Sequence, residues 1–148
     1  MLVWPGDPQV LIKQVASVEK HGVGESIFSF SSHTGTHVDA PNHFVEDGIG
    51  VDKILPKKLF GECDVLDITH IDHLEILPSD FKNAKIKKGT RILFKTGNYK
   101  YLHGPKFPNS YVSLSLSAAE YLSKKRIYLV GTDFLSIEKR NNPGHPVH

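Results

Sequence analysis

The sequence predicts a mixed α/β domain, on three observations. Short apolar and β-branched runs alternate with helix-start signals along the chain. Clusters of Gly, Pro, Asn and Asp separate those runs at short intervals. The composition, 39% hydrophobic and 23% charged over 148 residues, fits one globular domain. A chain of this length buries roughly two thirds of its unfolded surface.

The elements follow in order. Trp4-Pro5-Gly6-Asp7-Pro8 opens with turn chemistry that excludes regular structure. Residues 10–18 alternate loosely and predict an edge strand, with a turn over 21–24. Residues 26–33 predict a strand with Phe28 and Phe30 on one face and Ser29, Ser31 and His33 on the other. Asp47-Gly48-Ile49-Gly50 breaks the chain, and 51–59 predict a short helix interrupted by Pro56. Residues 64–68 predict a buried strand. Ser79 predicts the cap of a short helix over 80–84, which Lys88-Gly89 ends. Residues 91–96 predict the next strand, closed by Gly97-Asn98, and 103–113 a loop rich in Gly, Pro and Asn. Ser117 and Glu120 predict a capping box that starts the clearest helix, through Lys125, and 126–131 a final strand.

Composition narrows the function classes. A net charge of +2 is too small to argue for nucleic acid. The lysine clusters at 57–58, 85–88 and 124–126 read as solvated faces, without the interleaved aromatics of a single-strand binder. The one cysteine, Cys63, excludes an internal disulfide and is expected to be a packed thiol. No apolar run approaches the roughly 20 residues of a membrane span, and no leader is visible. The expectation is a cytoplasmic enzyme with no membrane or nucleic-acid partner.

The chemistry concentrates in His33-Thr34-Gly35-Thr36-His37-Val38-Asp39-Ala40-Pro41-Asn42-His43-Phe44. Imidazole and carboxylate together are the usual ligands of a borderline divalent ion. A helix would bring His33 and His37 to one face, but the intervening residues are poor helix formers and Pro41 follows. A strand is preferred, because His33, Gly35, His37 and Asp39 then share a face. Gly35 leaves room for an ion or substrate, and three ligands leave an open position for water. His43 falls past Pro41, near the ion and able to move a proton.

At these residues the chain resembles the cyclase-like metal-dependent hydrolases, whose characterised members include kynurenine formamidases and isatin hydrolases. The pattern His-x-Gly-Thr-His-x-Asp-x-Pro-x-His-Phe carries the resemblance. Trp4-Pro5-Gly6-Asp7, Gly131-Thr132-Asp133-Phe134-Leu135-Ser136 and Pro146-Val147-His148 extend it over nearly the whole chain. The resemblance implies an α/β fold with a β-barrel-like core and flanking helices, of the swivelling β/β/α kind. It implies that His33, His37 and Asp39 bind one divalent ion, that Asp39 bridges to a second, and that His148 binds the second. His43 is the implied general acid/base, and Trp4 the implied packing partner of an aromatic substrate ring. Zinc is the leading ion and manganese the alternative, with one or two ions bound.

The resemblance also implies a small-molecule substrate, with an aryl formamide such as N-formylkynurenine first and a cyclic amide like isatin or a lactone second. It implies a homodimer or homotetramer. Residues 1–148 are expected to form a single domain trimmed at both ends, with a glutamate ligand of the second ion beyond residue 148. His145 is expected to be a loop residue, and His21, His70, His73 and His103 surface residues. Asp133 and Ser136 either orient ligands or cap a turn. Two other classes remain as rivals: a non-catalytic metal-binding module, and a nucleic-acid-binding domain using the lysine clusters.

Overall fold

A computed structural model describes residues 2–148. The chain divides into two compact units, Val3–Asp39 and Ala40–His148, the second joined by Leu2. In the smaller unit, strand β1 (Leu11–Ala16) pairs antiparallel with β2 (Glu25–Ser29), placing Ile12 opposite Phe28. The register shifts between Gln14 and Ala16. One helical turn, α1 (Val18–His21), connects them, and Gly22 ends it in the left-handed region (φ 76°), donating its N–H to the Val18 carbonyl.

In the larger unit, α2 (Pro56–Leu59) places Pro56 in the first turn, where a missing N–H costs nothing. Strands β3 (Asp64–Asp67), β5 (Arg91–Lys95) and β7 (Leu129–Thr132) form a parallel sheet in the order β3-β5-β7. Two further strands, β4 (Glu75–Ile76) and β6 (Ser113–Leu114), make a second parallel pair. Alternation along the central strand sorts its side chains. Ile92 and Phe94 are fully buried on one face, while Leu93 on the other is 40% exposed. Helix α3 (Leu116–Lys124) contributes Ala118 and Leu122, four residues apart on one face, to the core that holds Ile92 and Phe94. Ile68, Ile76, Phe81 and Leu114 complete it. Each fully buried Ile, Leu or Phe stabilises by about 1.5–3 kcal/mol.

Several sequence expectations are corrected. The helix cap is Ser115, not Ser117: its Oγ accepts the Ala118 N–H at 3.1 Å and donates to the Ile76 carbonyl at 2.7 Å. That second bond ties the cap to β4, so the helix begins two residues earlier than expected. Ser79 caps no α-helix. A 3-10 turn runs over Pro78–Phe81, and the Asp80 carboxylate takes the Leu77 N–H at 2.7 Å. Strand β3 lies at the sheet edge with Asp64 and Val65 exposed, so its burial begins only at Ile68. Cys63 is exposed rather than packed. The sheets have two, three and two strands, and none closes on itself among the described residues. The mixed α/β class holds. Among the described residues no helix is long and apolar enough to cross a membrane.

His73 is a partial correction to the surface histidines. His21, His70 and His103 are exposed, but His73 is half-buried, 3.0 Å from Asp80 Oδ2 and 3.1 Å from Asp72 Oδ1. Asp80, and then Asp72, raise the His73 pKa above its ordinary 6.5. Burial pushes the Asp80 carboxyl up, but the Leu77 N–H and His73 outweigh it, and the net shift is downward. The raised imidazole stabilises the fold fully below about pH 6.5 and loses that contribution as pH rises through its folded value. The lowered carboxyl contributes above its ordinary 3.8 and loses it only as pH falls through its own lower value. The melting temperature of wild type should therefore exceed that of His73→Gln most in weakly acid buffer, with the gap narrowing above neutrality. A gap independent of pH from acid to alkaline buffer would contradict this.

Candidate active site

The segment from His33 to Asp39 is not a strand. It is a series of turns, with the Thr34 N–H on the Ser31 carbonyl at 3.1 Å and the His33 N–H on Ser31 Oγ at 3.2 Å. Gly35 adopts φ +74°, which a residue with a Cβ rarely takes. The turn, not a common strand face, brings the three expected ligands together.

Their convergence is close. His33 Nδ1 lies 2.8 Å from Asp39 Oδ1 and 3.2 Å from His37 Nε2, and His37 Nε2 lies 3.3 Å from Asp39 Oδ1. Among the described residues, His33, His37 and Asp39 are the one group of three or more His, Cys, Asp or Glu residues whose ligand atoms all gather within 4.8 Å. The side chains keep 30%, 23% and 37% of their surface open, so the cluster is accessible from outside.

The hydrogen bonding assigns the His37 tautomer. His37 Nδ1 lies 2.8 Å from the Gly35 carbonyl, which can only accept, so Nδ1 carries the proton and a neutral ring presents a bare Nε2 inward. His33 Nδ1–H then donates to Asp39. Three donor atoms thus surround one proton, which a cation can replace. Ligands about 2.0–2.2 Å from a tetrahedral ion stand roughly 3.3–3.6 Å apart. Two of the three edges here already approach that span. The donor set fits a divalent cation, with the Gly35 carbonyl orienting a ligand from behind.

The larger unit gathers a second group. Pro41–His43 forms a 3-10 turn in which the His43 N–H bonds the Ala40 carbonyl at 2.9 Å. Gly48 packs beneath it: a Cβ there would lie 2.6 Å from the Pro41 carbonyl carbon and 2.7 Å from the Asn42 nitrogen. The turn presents His43 beside Phe44, with ring centroids 4.1 Å apart. Phe44 stacks on His148 at 4.0 Å and 21°, and His43 lies 6.4 Å from His148. Trp4 belongs to the smaller unit, in a turn whose Asp7 N–H bonds the Trp4 carbonyl at 3.0 Å.

Asp133 caps a turn: it accepts from the Thr96 N–H, the Thr96 hydroxyl and the Gly97 N–H at 2.5–3.0 Å. Ser136 bonds within its own turn and also approaches His148. Its hydroxyl donates to the Glu138 carbonyl at 3.0 Å and lies 3.5 Å from His148 Nε2. Sequence reading assigned no role to Phe44 or Glu138. Phe44 closes the His-Phe motif and was visible there. Glu138, a lone acid between Ile137 and Lys139, carried no signal.

The Cyclase family model matches residues 1–139. A kynurenine formamidase from Bacillus cytotoxicus is 29% identical over 136 residues, covering 91% of this chain and 63% of that protein. The chain thus spans less than two thirds of the length of that relative. A predicted metal-dependent hydrolase from Bacillus stearothermophilus superposes with a TM-score of 0.79 at 35% identity, covering 100% of this chain and 69% of that one. Isatin hydrolase A from Ralstonia solanacearum superposes with a TM-score of 0.79 at 17% identity over 99% of this chain and 67% of that one, a likeness of fold.

Gly35→Ala should leave the chain folded, since nothing lies within 4 Å of the added Cβ. The strain of a left-handed alanine, about 1–2 kcal/mol, should appear as weaker ion binding, about tenfold in Kd. Titration of zinc against a chromophoric chelator measures it. An unchanged Kd would show that the turn does not set the ligand geometry.

Proposed function

The chain belongs to the Cyclase family of metal-dependent hydrolases, and from that premise we propose that it hydrolyses a small amide, an aryl formamide such as N-formylkynurenine in first place. The observation that carries the proposal is the meeting of His33 Nδ1, His37 Nε2 and Asp39 Oδ1, with His37 held by the Gly35 carbonyl. The formamidase relative supports the choice of substrate class.

In this reading His33, His37 and Asp39 hold a divalent ion, zinc before manganese. A second ion, where bound, would draw on Asp39 and on His148. A bound ion supplies Lewis acidity and a water activated at neutral pH. The rest is done by the chain's own groups. Water oxygen bonds to the carbonyl carbon, the C–N bond breaks, and His43 carries the proton from the water to the departing nitrogen. The 3-10 turn over Pro41–His43, packed on Gly48, supports that role. Trp4 packs against the aromatic ring of the substrate. The reading extends to a cytoplasmic homodimer or homotetramer and to a barrel-like core in the whole protein, to which these sheets contribute.

Metal content and formamide hydrolysis, measured before and after chelation, test the proposal together. Activity should vanish with the metal and return with zinc; hydrolysis that survives complete removal overturns it. His43→Ala should lower kcat by about 10²–10⁴-fold with metal content unchanged. A non-catalytic metal-binding module would instead show no hydrolysis of N-formylkynurenine, isatin or a lactone at any metal loading.

A further inference from the structure

Glu138 is 1% exposed, and with Arg91 it is one of the two charged side chains buried among the described residues. The two are buried differently. Arg91 spends its guanidinium on backbone carbonyls: Nε donates to Lys58 at 2.9 Å, Nη1 to Glu62 at 3.4 Å, and Nη2 to Lys57. Glu138 faces the 142–148 turn. A buried carboxylate is tolerated only when its oxygens are taken up by donors, and here the donors all come from that turn. Oε1 accepts from Asn142 Nδ2 at 2.6 Å and from the Val147 N–H at 3.0 Å. Oε2 lies 3.2 Å from His145 Nδ1 and 3.9 Å from His148 Nε2.

The backbone of this turn is unusual. Asn141 (φ 61°), Gly144 (φ 73°) and His145 (φ 47°) all lie in the left-handed region. Two of them carry side chains, and such conformations persist only where surrounding contacts over-determine them. The contacts in question converge on one carboxylate. The His148 N–H then closes on the His145 carbonyl at 3.2 Å, and the His148 side chain, 11% exposed, rests on Phe44. Glu138 itself is anchored from behind, because its carbonyl accepts the Tyr111 hydroxyl at 2.7 Å and its N–H bonds Ser136 Oγ at 3.1 Å.

We propose that Glu138 is a positioning residue: its buried carboxylate folds the 142–148 turn around itself and thereby sets the His148 ring on Phe44, beside His43. The placement stands on geometry alone, while its bearing on turnover rests on the role given to His148 above. Glu138→Gln preserves an oxygen that accepts from Asn142 and Val147. Glu138→Ala preserves none.

The test reads the ring directly, in the full chain without added metal. An imidazole stacked on a phenyl ring has its Hε1 resonance displaced by the ring current. His148 is assigned by the signal lost in His148→Gln, and Phe44→Leu shows the displacement attributable to the stack. Glu138→Ala should abolish the displacement while the core resonances of Phe94 and Leu122 stay in place. Glu138→Gln should retain most of it. A folded Glu138→Ala with the His148 signal unmoved overturns the proposal. Should Glu138→Ala fail to fold, Glu138→Asp decides. It keeps the charge but shortens the arm by one methylene, so it cannot reach Asn142 and Val147 together. Its displacement should shrink, and an unchanged one overturns the proposal. Formamide hydrolysis is measured in parallel. A displaced ring with undiminished turnover supports the positioning role and overturns the assignment of His148 to the reaction.

Discussion

Burial of Ile92 and Phe94 on one face of the central parallel strand is the constraint from which the larger unit follows. A parallel strand cannot be joined to its neighbour by a tight turn, so each crossover must travel, and the chain uses the distance. The first crossover carries β4 and the 3-10 turn that delivers Phe81 to the core; the second carries β6 and α3 with Ala118 and Leu122. The carboxyl ends of β5 and β7 are then locked together, because Asp133 takes three donors from Thr96 and Gly97. Functional groups of parallel sheets gather at such ends. From this one, Ser136 and Glu138 lead on to His148.

The two side-chain clusters, one in each unit, are built by different means. The His33-His37-Asp39 group owes its shape to a turn with a left-handed glycine and to one backbone carbonyl that dictates a tautomer. The His43-Phe44-His148 group owes its shape to packing: a glycine under a 3-10 turn, a stacked ring, and a buried acid. Hydrogen bonds to fixed carbonyls choose which nitrogen faces inward. Stacking chooses where a ring lies but not what it binds.

The residues that cluster were legible in the sequence, but the conformation that joins them was not. Spacing and residue type singled out His33, His37 and Asp39, and equal parity suggested a strand face. Equal parity was a coincidence of residues that in fact meet across a turn, and Gly35 was the clue to it. Its value lay in a positive φ rather than in a vacant side chain. The strands themselves were readable wherever alternation meets burial, as at Ile92 and Phe94. Helix starts were misplaced where tertiary bonds outvote local patterns. Ser117 has the capping-box spacing, yet Ser115 wins because it also reaches Ile76. The strand at β3 was readable but edge position hid its exposure, since nothing in Asp64-Val65-Leu66-Asp67 reveals which side has a neighbour. Glu138 was invisible because its donors arrive from residues 142–147, through a turn that no local motif announces.

The solvent-facing position of Cys63 has a practical consequence. The chain owns a single sulfhydryl, so under oxidising conditions it can be bridged to one other molecule and no more. A ladder on a non-reducing gel would stop at two rungs. Under native conditions, a species of twice the mass that collapses with reductant is an air-oxidation product, and one that persists is a non-covalent assembly. The same sulfur is a unique attachment point for a spin label or fluorophore, free of the ambiguity that several thiols would bring.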